Sequence, residues 1–169
     1  TAPQIQQLDQ LTMEREPIAS IDLMERAAGV FTDWLVDQYP DTERPVVIVG
    51  GPGNNGGDGL VVARLLHQRF YNVEVYICRI GSGVSEDHRI NRERLAGLGT
   101  IIPRPIEQGD GLPELPAGAL LIDAIFGSGL NRPVEGYWAE LLQHLNRHEG
   151  PRVAVDVPSG LFADKPTTG

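Results

Sequence analysis

The chain has 169 residues, 41% of them hydrophobic and 22% charged, enough for one globular domain that buries ~70% of its extended surface. A formal net charge of -9 argues against a duplex nucleic-acid partner, and no apolar run approaches the ~20 residues that span a bilayer. One cysteine, Cys78, rules out an internal disulfide, so a reducing cytoplasm is the default compartment and a buried, inert thiol the expectation.

In chain order, Ile5, Leu8 and Leu11 recur at helical steps until a break near Pro17. Ser20 reads as the cap of a second helix with apolar positions Met24, Ala27, Ala28, Phe31, Trp34 and Leu35, closed by Pro40. A β-branched strand over 46–49 runs into the glycine-rich segment 50–59, and a helix is predicted over 60–70. Residues 73–78 alternate as a strand, and 85–98 are charged and helix-compatible. The proline- and glycine-rich passage 103–119 reads as a loop or an irregular strand and turn. Leu120, Leu121 and Ile122 form a buried strand ending at Asp123, followed by a second glycine loop, a helix over about 134–147 and a strand over 153–157.

This alternation predicts an α/β, Rossmann-like three-layer sandwich. Its central sheet is mostly parallel, with helices on both faces and two helices preceding it. Ligands of such sheets bind beyond the carboxyl ends of the strands, at the point where strand order reverses. The loops that follow Val49, Ile122 and Val155 should converge there.

Those loops hold the chemistry. Gly51, Gly53 and Gly56 satisfy the GxGxxG spacing, with Glu74 near the place of a ribose-binding acid, although a tight strand-to-helix turn would leave the same trace. Asp58 stands where a helix cap would, or fixes the loop or meets a ligand hydroxyl. Asn55, Asp123 and Ser159 bring amide, carboxylate and hydroxyl oxygens from three loops, a set that suits a monovalent cation better than zinc. Ordinary loop hydrogen bonds explain each of them singly. Asp156, between an apolar strand and Val157-Pro158, is either a general acid/base or an aspartate turn before a proline. His144 and His148, four apart on a helix, lack a third metal ligand and are expected in solvent, and neither His67 nor His88 has an evident partner. There is no GxSxG, CxxC or HExxH sequence.

Three motifs stand in order: GGPGNNGGDG (50–59), DAIFGSGLNRP (123–133) and DVPSG (156–160). Together with IDLMERAAG (21–29) they closely resemble the NAD(P)H-hydrate epimerase family, also called the YjeF N-terminal domain family, over essentially the entire chain. The resemblance implies an epimerase that interconverts the R and S forms of hydrated NADH and NADPH. It implies substrate binding by Asn54, Asn55, Gly56, Gly57 and Asp58, by Gly127, Ser128, Gly129, Leu130, Asn131, Arg132 and Pro133, and by Asp156. A potassium ion would sit at Asn55, Asp123 and Ser159. Asp156 is the first choice of acid/base catalyst and Asp123 the second. A dehydratase is the functional partner, fused in many members, and a homodimer is expected. Family domains usually continue beyond DVPSG, so 1–169 reads as a single domain, C-terminally incomplete. The competing readings are an inactive scaffold with this fold and an NAD-dependent oxidoreductase.

Overall fold

The structure, a computed structural model, describes residues 1–166. Five strands, β1 (Val46–Gly50), β2 (Val73–Cys78), β3 (Arg104–Ile106), β4 (Leu120–Ala124) and β5 (Arg152–Ala154), form one sheet in the order β3-β2-β1-β4-β5. Every pairing is parallel, with Val46 opposite Val73 on one side and Leu120 on the other. The chain builds outward from β1 to β3, then returns to lay β4 against the other edge of β1. Strand order therefore reverses between β1 and β4.

The side-chain period of two divides each inner strand between two cores. Val46 and Ile48 of β1 join Val75, Ile77, Leu120 and Ile122 under three helices: α2 (Ser20–Gln38), α3 (Asn54–Gln68) and α4 (Glu86–Ala96). Val47 and Val49 face the other way and meet Leu141, Leu142 and Leu145 of α5 (Gly136–Asn146). Cys78 is fully buried in this second core, where desolvation pushes its thiol up to about 12. The first helix, α1 (Ala2–Arg15), buries no residue of its own. Among the described residues no helix is long and apolar enough to cross a membrane.

The three-layer expectation holds, and several boundaries move. Ser20 does not cap α2: Ala19 occupies that position, and the Ser20 hydroxyl donates to Asp87 Oδ2 at 2.6 Å. Helix α3 begins at Asn54, so much of the apparent glycine loop is helical. The passage 103–119 contains the short edge strand β3, where a proline is tolerated because one side of the strand carries no ladder. The last strand ends at Ala154; the Val155 N–H still donates to the Asp123 carbonyl at 2.9 Å, and Asp156 and Val157 lie beyond the strand.

Candidate active site

At the end of β1 the chain turns through Gly51, Pro52 and Gly53, and Gly53 is the N-cap of α3. No side chain caps this helix, so its first main-chain N–H groups face outward as an anion seat. Gly51 and Gly56 let two backbones meet. A Cβ on Gly56 would lie 1.8 Å from the Gly51 carbonyl oxygen, and one on Gly51 would lie 2.1 Å from that of Ile125. The Gly51 N–H also donates to the Ala124 carbonyl at 3.0 Å. Glycine spacing here clamps the exits of β1 and β4 together.

Beyond β4, Asp123 organises the neighbouring loops. Its Oδ1 accepts from the Ser159 hydroxyl at 2.6 Å and the Ile125 N–H at 3.1 Å, and its Oδ2 accepts from the Ser159 N–H at 2.7 Å. The Phe126 N–H donates to Ser159 Oγ at 3.0 Å. Gly127 has φ +65°, and a Cβ there would fall 2.7 Å from Asp156 Oδ2 and 3.0 Å from Asn55 Cγ. One glycine thus stands between the two side chains. The Ser128 N–H donates to Asp156 Oδ2 at 2.6 Å.

The loops enclose a cleft of about 940 Å³. Its walls include Asn54, Asn55 and Asp58 from α3, residues 128–132 from the second glycine loop, and Asp156. Ile5, Gln6 and Asp9 of α1 close one side. Asn55 is buried, and neither Oδ1 nor Nδ2 has a hydrogen-bond partner among the described residues. Such a pair is costly unless a ligand completes it. Asp58 is half-buried, one turn further along α3. Burial, reinforced by the charges of Asp156, Asp87 and Asp9, pushes its pKa up to about 7. At neutral pH it is poised between acid and carboxylate.

The family model for the YjeF-related protein N-terminus matches residues 20–169. The chain belongs to this family. It is 39% identical over 164 residues to the NAD(P)H-hydrate epimerase of Limosilactobacillus fermentum, covering 97% of this chain and 76% of that one. It is 38% identical over 167 residues to the Rhodobacter capsulatus protein of the same name, covering 92% and 76%. The crystal structure of yeast ynu0 superposes with a TM-score of 0.80 at 26% identity, covering all of this chain and 74% of that one.

In this YjeF-related domain the sequence-derived residues fall into two groups. Asn54, Asn55, Asp58, Ser128, Gly129, Leu130, Asn131, Arg132 and Asp156 line the cleft. Asp123, Ser159, Gly56, Gly57, Gly127 and Pro133 are outside its lining. Gly56 and Gly57 are buried against Gly51 and against Met24, and Asp123 accepts three loop hydrogen bonds. The position read as a cap at Asp58 is corrected: Gly53 caps the helix, and Asp58 is inside it. Glu74 is corrected too. It lies near the start of β2, away from the cleft, paired with Arg104 at 3.1 Å. His144 and His148 are half-buried and donate from Nε2 to the Pro113 and Ala119 carbonyls, both at 2.8 Å. His67 Nε2 pairs with Thr100 Oγ1 at 2.9 Å. Among the described residues no cluster of three His, Cys, Asp or Glu could hold a metal.

Two consequences are measurable. Asp123→Ala leaves three loop donors without their acceptor and lowers unfolding free energy by about 2 kcal/mol or more, read by urea denaturation. For Asp58, the folded state keeps a proton that the unfolded chain, with its pKa at 3.8, has given up. Its contribution to stability is present below the unfolded value and is lost as pH rises through about 7. Asp58→Asn therefore stabilises the protein under mildly alkaline conditions, and the gain disappears in acid. Equal gains at both ends would separate Asp58 from this titration.

Proposed function

We propose that this chain is an NAD(P)H-hydrate epimerase, interconverting the R and S forms of hydrated NADH and NADPH. The observation that carries the reading is Asp156 at the strand-order reversal. One of its oxygens is held by the Ser128 N–H, beside an Asn55 amide with no partner, in a cleft wide enough for a nucleotide. The curated relatives named above carry the same activity in their names.

The hydroxyl to be inverted is on the carbon beside the ring nitrogen. Protonation of that hydroxyl lets the nitrogen lone pair expel it as water, leaving an iminium. Water then adds to the opposite face and returns a proton to the carboxylate. Asp156 is the group we assign to proton transfer; its Oδ2 accepts from the Ser128 N–H. Asp58, with its pKa raised to about 7, offers another carboxyl able to hold a proton in the same cleft. Asp123, bound by Ser159 and Ile125, holds the floor of the loops and takes no proton-transfer role.

Potassium at Asn55, Asp123 and Ser159 is part of this proposal. The donor set fits: a carboxylate, a hydroxyl and an amide oxygen that is buried without a partner. When bound, the ion supplies fixed positive charge beneath an acidic cleft. A cytoplasmic setting, a homodimer and a partner dehydratase that consumes the S form complete the proposal. An oxidoreductase reading loses its ribose-binding acid with Glu74.

The direct test mixes the protein with both epimers of hydrated NADH and an S-specific dehydratase, then follows the R form. Its consumption supports the epimerase. An inert R form that still binds would instead indicate a binding module.

A further inference from the structure

A second recess, of about 210 Å³, opens at the carboxyl end of β2. Its lining includes Pro52, Ile80, Val84, His88, Arg92 and Pro105. Pro52 and Ile80 also line the main cleft, so the two spaces share a wall. The Ser85 N–H donates to the Pro52 carbonyl at 3.0 Å, holding the turn 81–84 against the entrance to α3.

His88 is the unexplained group here. It is 1% exposed, in the first turn of α4, and neither ring nitrogen has a hydrogen-bond partner among the described residues. Burial, assisted by Arg92, pushes its pKa down. The ring is therefore neutral at physiological pH, offering one N–H and one lone pair. The half-buried histidines elsewhere in the chain show the contrast: His144 and His148 each reach a carbonyl.

The recess is smaller than the ~300–1,000 Å³ of a pocket for an entire ligand, so it accommodates one ring system. Proline and aliphatic surfaces suit the faces of a heteroaromatic ring. A neutral imidazole suits its edge, because adenine presents an exocyclic amine donor beside a ring-nitrogen acceptor. The start of α3, which no side chain caps, lines the main cleft next to the shared Pro52 and suits a pyrophosphate.

We propose that this recess receives the adenine of the hydrated dinucleotide and that His88 reads the edge of the base. The proposal rests on the epimerase reading, and it makes His88 a specificity residue remote from the reacting carbon.

The test has two arms. In the first, AMP is titrated into the protein and the His88 ring resonances are followed by NMR; saturable shifts are expected, and they do not depend on catalysis. In the second, His88→Phe and Val84→Trp are assayed with hydrated NADH and with the hydrate of reduced nicotinamide mononucleotide, which lacks adenosine. His88→Phe keeps a buried ring, and Val84→Trp fills the recess from an exposed position. Each raises KM for hydrated NADH about tenfold or more and leaves kcat and the mononucleotide reaction unchanged. Silent His88 resonances, or equal losses on both substrates, overturn the proposal. Should neither hydrate be epimerised by the parent protein, the functional reading fails and the AMP arm alone decides the recess.

Discussion

Asp156→Asn lowers epimerisation by about 10²–10⁴-fold and leaves dinucleotide affinity largely intact. The amide keeps an oxygen to accept from the Ser128 N–H, so the contact that shapes the second glycine loop survives. What disappears is a group able to give a proton to the departing hydroxyl and take one from the incoming water. Asp156 is exposed at the cleft, so the substitution leaves no buried polar group unpaired and the fold is unaffected. Stopped assays for the R form, with binding measured by calorimetry, separate the two effects. Near-normal turnover would remove Asp156 from the mechanism.

Gly56→Ala destabilises the protein by about 3 kcal/mol or more, despite placing a better helix former inside a helix. The added methyl would lie 1.8 Å from the Gly51 carbonyl oxygen and 2.8 Å from its carbon, both backbone atoms that no rotamer change can move. Midpoint temperature falls by roughly 6–12 °C at this size. Gly53→Ala is the matched control. Nothing lies within 4 Å of a Cβ there, so the same substitution three residues away is tolerated. Similar thermal shifts for both variants would contradict the close approach of β1 and α3.

The contrast between these glycines also shows what the sequence could convey. Strand runs such as 46–49 and 120–122 were legible because a buried parallel strand is apolar on both faces. The convergence of loops at Asn55, Gly127 and Asp156 followed from that layout. The start of α3 was hidden because glycine and asparagine are poor helix formers in isolation. Their helical conformation here is imposed by tertiary packing on Gly51 and Met24.

Partners distant in sequence were equally illegible. Glu74 is near in sequence to where an acid would serve a ribose, yet the register of β2 places it at the wrong end of the strand. The raised pKa of Asp58 needs burial together with charges from three other segments, Asp9, Asp87 and Asp156. His144 and His148 look like helix-surface residues until the passage 103–119 folds over them and presents carbonyls. His88 gave no sequence signal, because a buried ring is defined by what surrounds it.

Cys78 gives the fold a built-in clock. It is the only cysteine of the chain, sealed in the core beneath α5, and its thiol stays protonated far into alkaline pH. Cys78 is 0% exposed although it borders the second recess, so a thiol reagent reaches it when the fold opens there, and the labelling rate at this single atom reports how often that happens. A dinucleotide that spans the cleft and the recess beside β2 would slow that rate in proportion to its occupancy. Ligand binding could then be read without a chromophore, a coupled enzyme or turnover.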